Sequence, residues 1–272
     1  MTPSPKPRPK VIATDLDGTL LRDDGTLSAY TIKVLQNLDA SGVKVIFVTA
    51  RPPRWLETVR HAIGSHGSVI CLGGACRYDA TTHSIVSARG FAASSLTEIV
   101  RDLRQAIPGI ALGIERATGP VFDHHYRSNW PIPFDAPRDL VENRLEEPVG
   151  KLLARLVDEK PNMSEGEFFT TVDRVVSERG SLAYSGAAGL AELTAPDISK
   201  SIALAEWCQE NNISPAEVWA FGDMPNDLPM LTWAGRSFAV SNAHETVIAA
   251  CTQRVESNNN DGVARTLHNL LK

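Results

Sequence analysis

A chain of 272 residues, 43% hydrophobic and 22% charged, has the composition of an ordinary globular protein and the length for one large domain or two modest ones. Its 27 Lys plus Arg against 32 Asp plus Glu leave a formal charge of −5, without the basic footprint of a nucleic-acid binder or the polybasic patch of a membrane-surface protein. No run of about 18 apolar residues occurs, so no membrane-spanning helix is expected. The Pro- and Lys-rich stretch 1–10 lacks the apolar segment of a secretory signal and reads as a disordered tail. Cys71, Cys76, Cys208 and Cys251 form no CxxC pair with a nearby His, which argues against zinc and for reduced, mostly buried thiols. A cytoplasmic protein, monomeric or a small homo-oligomer, is the expectation.

Taken in chain order, Val11–Thr14 is a short apolar run that ends in carboxylates and a glycine, the pattern of a buried strand with a polar loop at its carboxyl end. From Ser28, a plausible N-cap, to Ala40 the spacing of Tyr30, Val34, Leu35 and Leu38 predicts a helix, stopped by Gly42. Val43–Val48 reads as a second strand, Arg54–Ile63 as a helix and Val69–Leu72 as a third strand, stopped by Gly73-Gly74. Strands and helices in alternation with short connections predict a parallel sheet covered by helices, with ligands beyond the carboxyl ends of the strands. The same grammar returns late in the chain, with a helix over Ser201–Glu210 and strands over Val218–Phe221 and Ser237–Val240. The stretch between is richer in Pro, Trp and His, with short strands, helices around Ser95–Ala106 and Val149–Glu159, and a loop over Pro131–Pro137. It reads as an inserted α+β domain over 83–193, with an α/β core built from 1–82 and 194–272.

The first motif is Asp15-Leu16-Asp17-Gly18-Thr19-Leu20. Two carboxylates at one strand end repel each other and resist burial, so they call for a divalent cation or a cationic side chain. Asp-x-Asp alone is equally a turn; after an apolar strand and before Gly-Thr it becomes specific.

With that motif the chain resembles the haloacid dehalogenase superfamily, whose members carry DxDGT at the end of the first strand. Three further parts of the family pattern follow in order: Thr49 in Val48-Thr49-Ala50-Arg51, Lys200 before a helix in Pro196-Asp197-Ile198-Ser199-Lys200, and Gly222-Asp223-Met224-Pro225-Asn226-Asp227 as the GDxxND motif. Ser241-Asn242-Ala243 and Asn260-Asp261-Gly262-Val263-Ala264 are similar to signatures of the Cof-like sugar-phosphatase subfamily, which carries a large α+β cap after the third strand. Two departures stand out: Ala50 replaces the usual Gly, and Gly73-Gly74 replaces the usual Asn-Gly.

The resemblance implies a Rossmann-like core with a cap, Mg²⁺ as cofactor, and a phosphatase acting on small phosphorylated metabolites, either sugar phosphates or a cofactor phosphate such as pyridoxal phosphate. Asp15 is the expected nucleophile and Asp17 the acid and base. Thr49 and Lys200 are expected on the phosphoryl oxygens. Asp15, Asp223 and the backbone carbonyl of Asp17 would hold the metal, with Asp227 and Asn226 in support. Arg51 reads as structural, paired with a core carboxylate. In the cap, Glu115, Arg116, His124, His125 and Arg127 are the candidates for reading the organic part of the substrate. His124 and His125 do not read as a metal pair, because strand neighbours face opposite ways. Competing readings are a phosphotransferase or phosphomutase, and a non-catalytic phospho-ligand binder. A receiver domain would be about half this length, and a dinucleotide-binding dehydrogenase would need a GxGxxG after the first strand.

Overall fold

A computed structural model describes residues 8–57, 59–60, 66–128, 130–146, 148–156, 163–183 and 189–270. Two sheets organise them. The first holds β1 (Val11–Thr14), β2 (Lys44–Val48), β3 (Ser68–Cys71), β4 (Cys76–Asp79), β5 (Ser84–Ala88), β11 (Val218–Gly222), β12 (Arg236–Val240) and β13 (Gln253–Val255). Their order is β13-β12-β11-β1-β2-β3-β4-β5. The pairs from β13 to β3 are parallel, and β4 and β5 extend the sheet as antiparallel strands.

The chain leaves β1 toward β2 on one side and returns as β11 on the other, so the order reverses between β1 and β11. Such a switch point opens a crevice beyond the strand ends. Every residue of β1 and β11 is buried, as continuous apolar runs require when helices cover both faces. The helices here are α1 (Ala29–Ala40), capped by Ser28, α4 (Lys200–Glu210), capped by Ser199, α5 (Leu228–Trp233), α6 (Glu245–Ala250) and α7 (Gly262–His268).

The second sheet is antiparallel throughout, in the order β7 (Gly119–Phe122), β6 (Ala111–Arg116), β8 (Lys151–Arg155), β10 (Leu190–Thr194), β9 (Ser181–Ala183). Its period-two alternation sorts two faces. Leu112, Ile114, Leu152, Ala154, Ala191 and Leu193 join one apolar core with the buried stripes of two helices, α2 (Ala93–Ala106) and α3 (Glu165–Val176). The residues between them, Glu115, Lys151, Leu153, Leu190 and Glu192, line a cavity on the other face.

The fold class is as expected: an α/β core with a central parallel sheet and a second α+β unit. Three particulars differ. Of the helix expected over Val149–Glu159, Lys151–Arg155 forms strand β8, and residues 157–159 lie outside the described residues. Its Lys-Leu-Leu-Ala-Arg run favours a helix locally, but pairing with β6 and β10 on both sides overrides that preference. The helix of this region is instead α3, whose Ser164 and Glu167 form a reciprocal capping box. Finally, Ser84–Ala88, expected within the inserted stretch 83–193, pairs with β4 in the first sheet, and Thr194, expected in the core, pairs in the second. Of the helix expected over Arg54–Ile63, Pro53–Trp55 forms a 3₁₀ turn, and residues 58 and 61–65 lie outside the described residues. Among the described residues no helix is long and apolar enough to cross a membrane.

Phe168 is fully buried on α3 where that helix meets the second sheet. Phe168→Ala should cost about 3–5 kcal/mol through lost burial and the cavity left behind, measured as a lower urea midpoint. A change under about 1 kcal/mol would show that α3 does not hold the sheet.

Candidate active site

Asp15 follows the last residue of β1, and Asp223 follows β11 beside it in the sheet. Asp227 sits one turn beyond Asp223, and Lys200 opens α4. All four side chains are buried. The Lys200 ammonium donates to Asp15 Oδ1 at 2.6 Å and to Asp227 Oδ1 at 2.7 Å. The other Asp227 oxygen accepts from the backbone amides of Asp223 and Met224 at 3.1 and 3.2 Å. Thr19 donates to Asp223 Oδ1 at 2.7 Å.

Close backbone approach makes this packing possible. A Cβ on Gly18, at φ +74°, would lie 2.4 Å from Asp223 Oδ2, and one on Gly74 would lie 2.2 Å from the Ser199 carbonyl. Asn242 donates to the Gly18 carbonyl at 2.7 Å, and its own oxygen accepts from the Asn258 amide. The late Asn-bearing segments thus fix the first loop.

Electrostatics leave this cluster short of positive charge. Three carboxylates share one ammonium. Burial, with repulsion from Asp227, Asp223 and Asp17, pushes Asp15 well above the ordinary carboxylate range although Lys200 pulls it back. Burial and then Asp227 push Asp223 up to about 7. Burial opposes the Lys200 charge, but Asp15 and Asp227 overcome it and raise its pKa. One oxygen each of Asp15, Asp223 and Asp227 lie within 4.8 Å of one another, and the buried Asn226 Oδ1 has no hydrogen-bond partner among the described residues. Asp227 is already held by Lys200 and two amides, so Asp15 and Asp223 are the carboxylates with capacity left. Hard oxygen donors with excess negative charge fit a hard divalent cation.

The Asp17 side chain turns away from this cluster. It is 57% exposed and meets Arg51 in a bidentate pair, Nε to Oδ2 at 2.7 Å and Nη2 to Oδ1 at 2.6 Å. Arg51 therefore does pair with a carboxylate, but with the very one expected to move protons. Thr49 is fully buried at the end of β2, and its hydroxyl oxygen accepts from the Arg51 amide at 3.1 Å.

Asp17 and Arg51 also lie on the wall of a cavity of about 300 Å³ between the two sheets. Of the five candidates in the inserted unit, Glu115 alone is on its wall. Arg116 folds back onto the Gly119 carbonyl in the β6–β7 hairpin. His124, His125 and Arg127 are exposed in the segment after β7. These four are not on the cavity wall: Arg116, next to Glu115 on β6, faces the opposite side of the sheet, and the backbone of His124, His125 and Arg127 has already left the sheet after β7. Arg54, Trp55, Tyr126, Trp130, Lys151 and Glu192 line the cavity instead. The alternation Lys151-x-Leu153 and Leu190-x-Glu192 was the available signal.

A family model described as haloacid dehalogenase-like hydrolase matches residues 12–267. The chain belongs to that family. YxeH of Bacillus subtilis, provisionally named a phosphatase, is 28% identical over 96% of this chain and 98% of its own. The pyridoxal phosphate phosphatase YbhA of Escherichia coli is 26% identical over 96% and 98%. Among solved structures, the phosphatase BT1666 of Bacteroides thetaiotaomicron superposes with a TM-score of 0.80 at 21% identity, covering 97% of this chain and 95% of its own, a likeness of fold. A phosphoric monoester hydrolase is the enzyme class that this membership and these relatives support.

The charge shortage makes a measurable prediction. Folded Asp223 keeps its proton up to about pH 7, against 3.8 ordinarily. The folded state therefore binds more protons across that window, and this group's contribution to stability falls as pH rises through it. A bound cation relieves that cost only where the carboxylates are ionised. Mg²⁺ should raise Tm more at about pH 8 than at about pH 5, and Asp223→Asn should remove most of the difference. Equal shifts at both pH values would show that the cluster is not the metal site.

Proposed function

We propose that this chain is a Mg²⁺-dependent phosphatase that hydrolyses small phosphorylated metabolites, sugar phosphates or cofactor phosphates, through an aspartyl-phosphate on Asp15. The observation that carries this reading is the buried Asp15–Lys200–Asp227 chain beside Asp223, with Asp17 two residues along at the cavity wall. A buried cluster with that excess of carboxylate is a costly structure to keep for stability alone, and perturbed carboxylates beside a cavity are what phosphoryl transfer uses.

Asp15 attacks phosphorus, so the phosphate ester is cleaved in two displacements. Lys200 holds the attacking carboxylate in place and offsets charge on the phosphoryl oxygens. Thr49, whose oxygen is occupied by the Arg51 amide, directs its hydroxyl hydrogen to one of those oxygens. Asp17 protonates the departing oxygen and then takes a proton from the water that attacks the aspartyl-phosphate. Arg51 fixes the orientation of the Asp17 carboxylate on the cavity wall. Asp15, Asp223 and the Asp17 carbonyl would hold Mg²⁺, which when bound neutralises the approach of an anionic nucleophile to an anionic ester. Asp227 anchors Lys200, and Asn226 offers a further buried oxygen. The full-length match to a pyridoxal phosphate phosphatase supports a small-molecule ester as substrate.

Chelation should abolish phosphate release and Mg²⁺ should restore it, whereas Ca²⁺, which takes more ligands in looser geometry, should support little turnover. Full activity in excess chelator would overturn the metal assignment. The two acidic residues separate by mass spectrometry of trapped protein. Asp15→Asn should carry no phosphoryl group. Asp17→Asn should lower turnover of alkyl phosphates by roughly 10²–10⁴, and with an aryl phosphate, which needs no protonation to depart, it should accumulate phosphate on Asp15. Phosphate on another carboxylate of the Asp15→Asn protein would reassign the nucleophile.

A further inference from the structure

The turn after β2 carries Thr49, and most of its backbone is tied to the first sheet. The Thr49 amide donates to the Ile70 carbonyl at 2.8 Å, the Thr49 carbonyl accepts from the Gly73 amide at 3.0 Å, and the Arg51 carbonyl accepts from the Leu72 amide at 2.9 Å. The Ala50 carbonyl is left over. A turn would close on it with the amide two or three residues on, but those residues are Pro52 and Pro53, which have no N–H. Among the described residues no backbone amide reaches it. Its partner is the Lys151 ammonium at 3.0 Å, from the first residue of β8 in the other sheet.

What that bond holds is a peptide plane. The Ala50 carbonyl and the Arg51 amide belong to one planar unit and point in opposite directions. Lys151 takes the carbonyl end, and the amide end donates to the Thr49 hydroxyl oxygen at 3.1 Å. Turning the plane would carry the Thr49 oxygen with it. Lys151 is itself firmly placed. It is buried, and its ammonium also donates to Glu192 Oε1 at 2.9 Å. Its Cε lies 3.6 Å from where a Cβ on Gly73 would stand, so its stem passes beside the turn that holds the Thr49 carbonyl. The residue before it, Gly150, comes so close to the first unit that a Cβ there would stand 2.9 Å from the Ala75 Cβ. An ammonium bonded to both units, on a strand that abuts the core, cannot swing toward a leaving group without giving up those bonds.

Building on the phosphatase reading, we propose that Lys151 is a positioning residue: from the inserted unit it fixes the Ala50–Arg51 peptide and, through that peptide, the Thr49 hydroxyl that meets the phosphoryl group. The inserted unit then acts on the phosphoryl end of the site as well as on the leaving-group end. Loss of Lys151 lowers turnover of every phosphorylated compound by a similar factor, because Thr49 faces the part they share. A side chain that reads the leaving group would change some substrates and spare others.

The test uses the full chain with Lys151→Met and Glu192→Gln together, which removes the donor, keeps the net charge of the pair and leaves no buried charge alone. With Mg²⁺ present, kcat for p-nitrophenyl phosphate and for acetyl phosphate, whose leaving group is only acetate, should both fall roughly ten- to a hundredfold, with KM changing less than about threefold. In a Thr49→Val background the same pair of substitutions should cost less than about threefold more, because the hydroxyl it places is already gone. Should the double variant not fold, Lys151→Gln, whose neutral donor is one bond short of the carbonyl, carries the same expectations. An undiminished kcat, an effect on KM alone, a loss confined to p-nitrophenyl phosphate, or a full further loss in the Thr49→Val background overturns the inference. No phosphate released from either compound by the unaltered protein sinks the phosphatase reading instead. The positioning role is then decided by calorimetric titration with inorganic phosphate and Mg²⁺: the substitutions should weaken binding about three- to tenfold, and not in the Thr49→Val background. Unchanged affinity, or no phosphate binding at all, overturns it.

Discussion

The arrangement on which the rest of the protein depends is three buried carboxylates around one buried ammonium. Asp15 and Asp223 come from adjacent parallel strands, so their backbones cannot separate, and Lys200 reaches both Asp15 and Asp227 from the first turn of α4. Like charges held this close raise one another's pKa and gain little from burial. The surroundings are built to tolerate that. Two backbone amides and Lys200 fix Asp227, Thr19 fixes Asp223, and glycine at positions 18 and 74 lets backbone approach where a Cβ would collide. The cost is local and lies at a switch point of the sheet, where a ligand can offset it.

The two sheets divide the work by geometry. Parallel strands gather Asp15, Thr49 and Asp223 at the carboxyl ends of the central strands of the first sheet. The antiparallel sheet offers an inner face whose side chains alternate with those that pack on α2 and α3. Among the described residues, two polar contacts stitch the units together at the cavity. Arg54 of the first pairs with Glu115 of the second, and Lys151 of the second donates to the Ala50 carbonyl at 3.0 Å. These contacts close the cavity wall where the two units meet. The same stretch of chain, from Thr49 to Trp55, therefore begins at the end of β2 beside β1 and ends on the cavity wall.

The sequence by itself determined the core. Val11–Thr14 and Val218–Phe221 are apolar runs that end in Asp motifs, and a strand end is a fixed point from which the next residues can be placed. Asp15, Thr49 and Asp223 could be named because each stands one residue beyond a strand, and Lys200 because it opens a helix, places where local pattern decides position. Tertiary structure alone decided the rest. Lys151-Leu152-Leu153-Ala154-Arg155 has a helical preference and becomes a strand because β6 and β10 flank it. Its neighbours in space, Glu115 and Glu192, are far away in sequence, so the alternation along each strand marks a face but not which strands share it. His124 and His125 carry polar chemistry but sit after the strand has ended. Trp130 belongs to a proline-rich segment without regular structure, where side-chain direction follows from packing rather than from periodicity. Catalytic groups at strand ends are set by short-range geometry and can be read from a chain; a cavity wall assembled from two sheets is a long-range product of register, which the chain acquires only on folding.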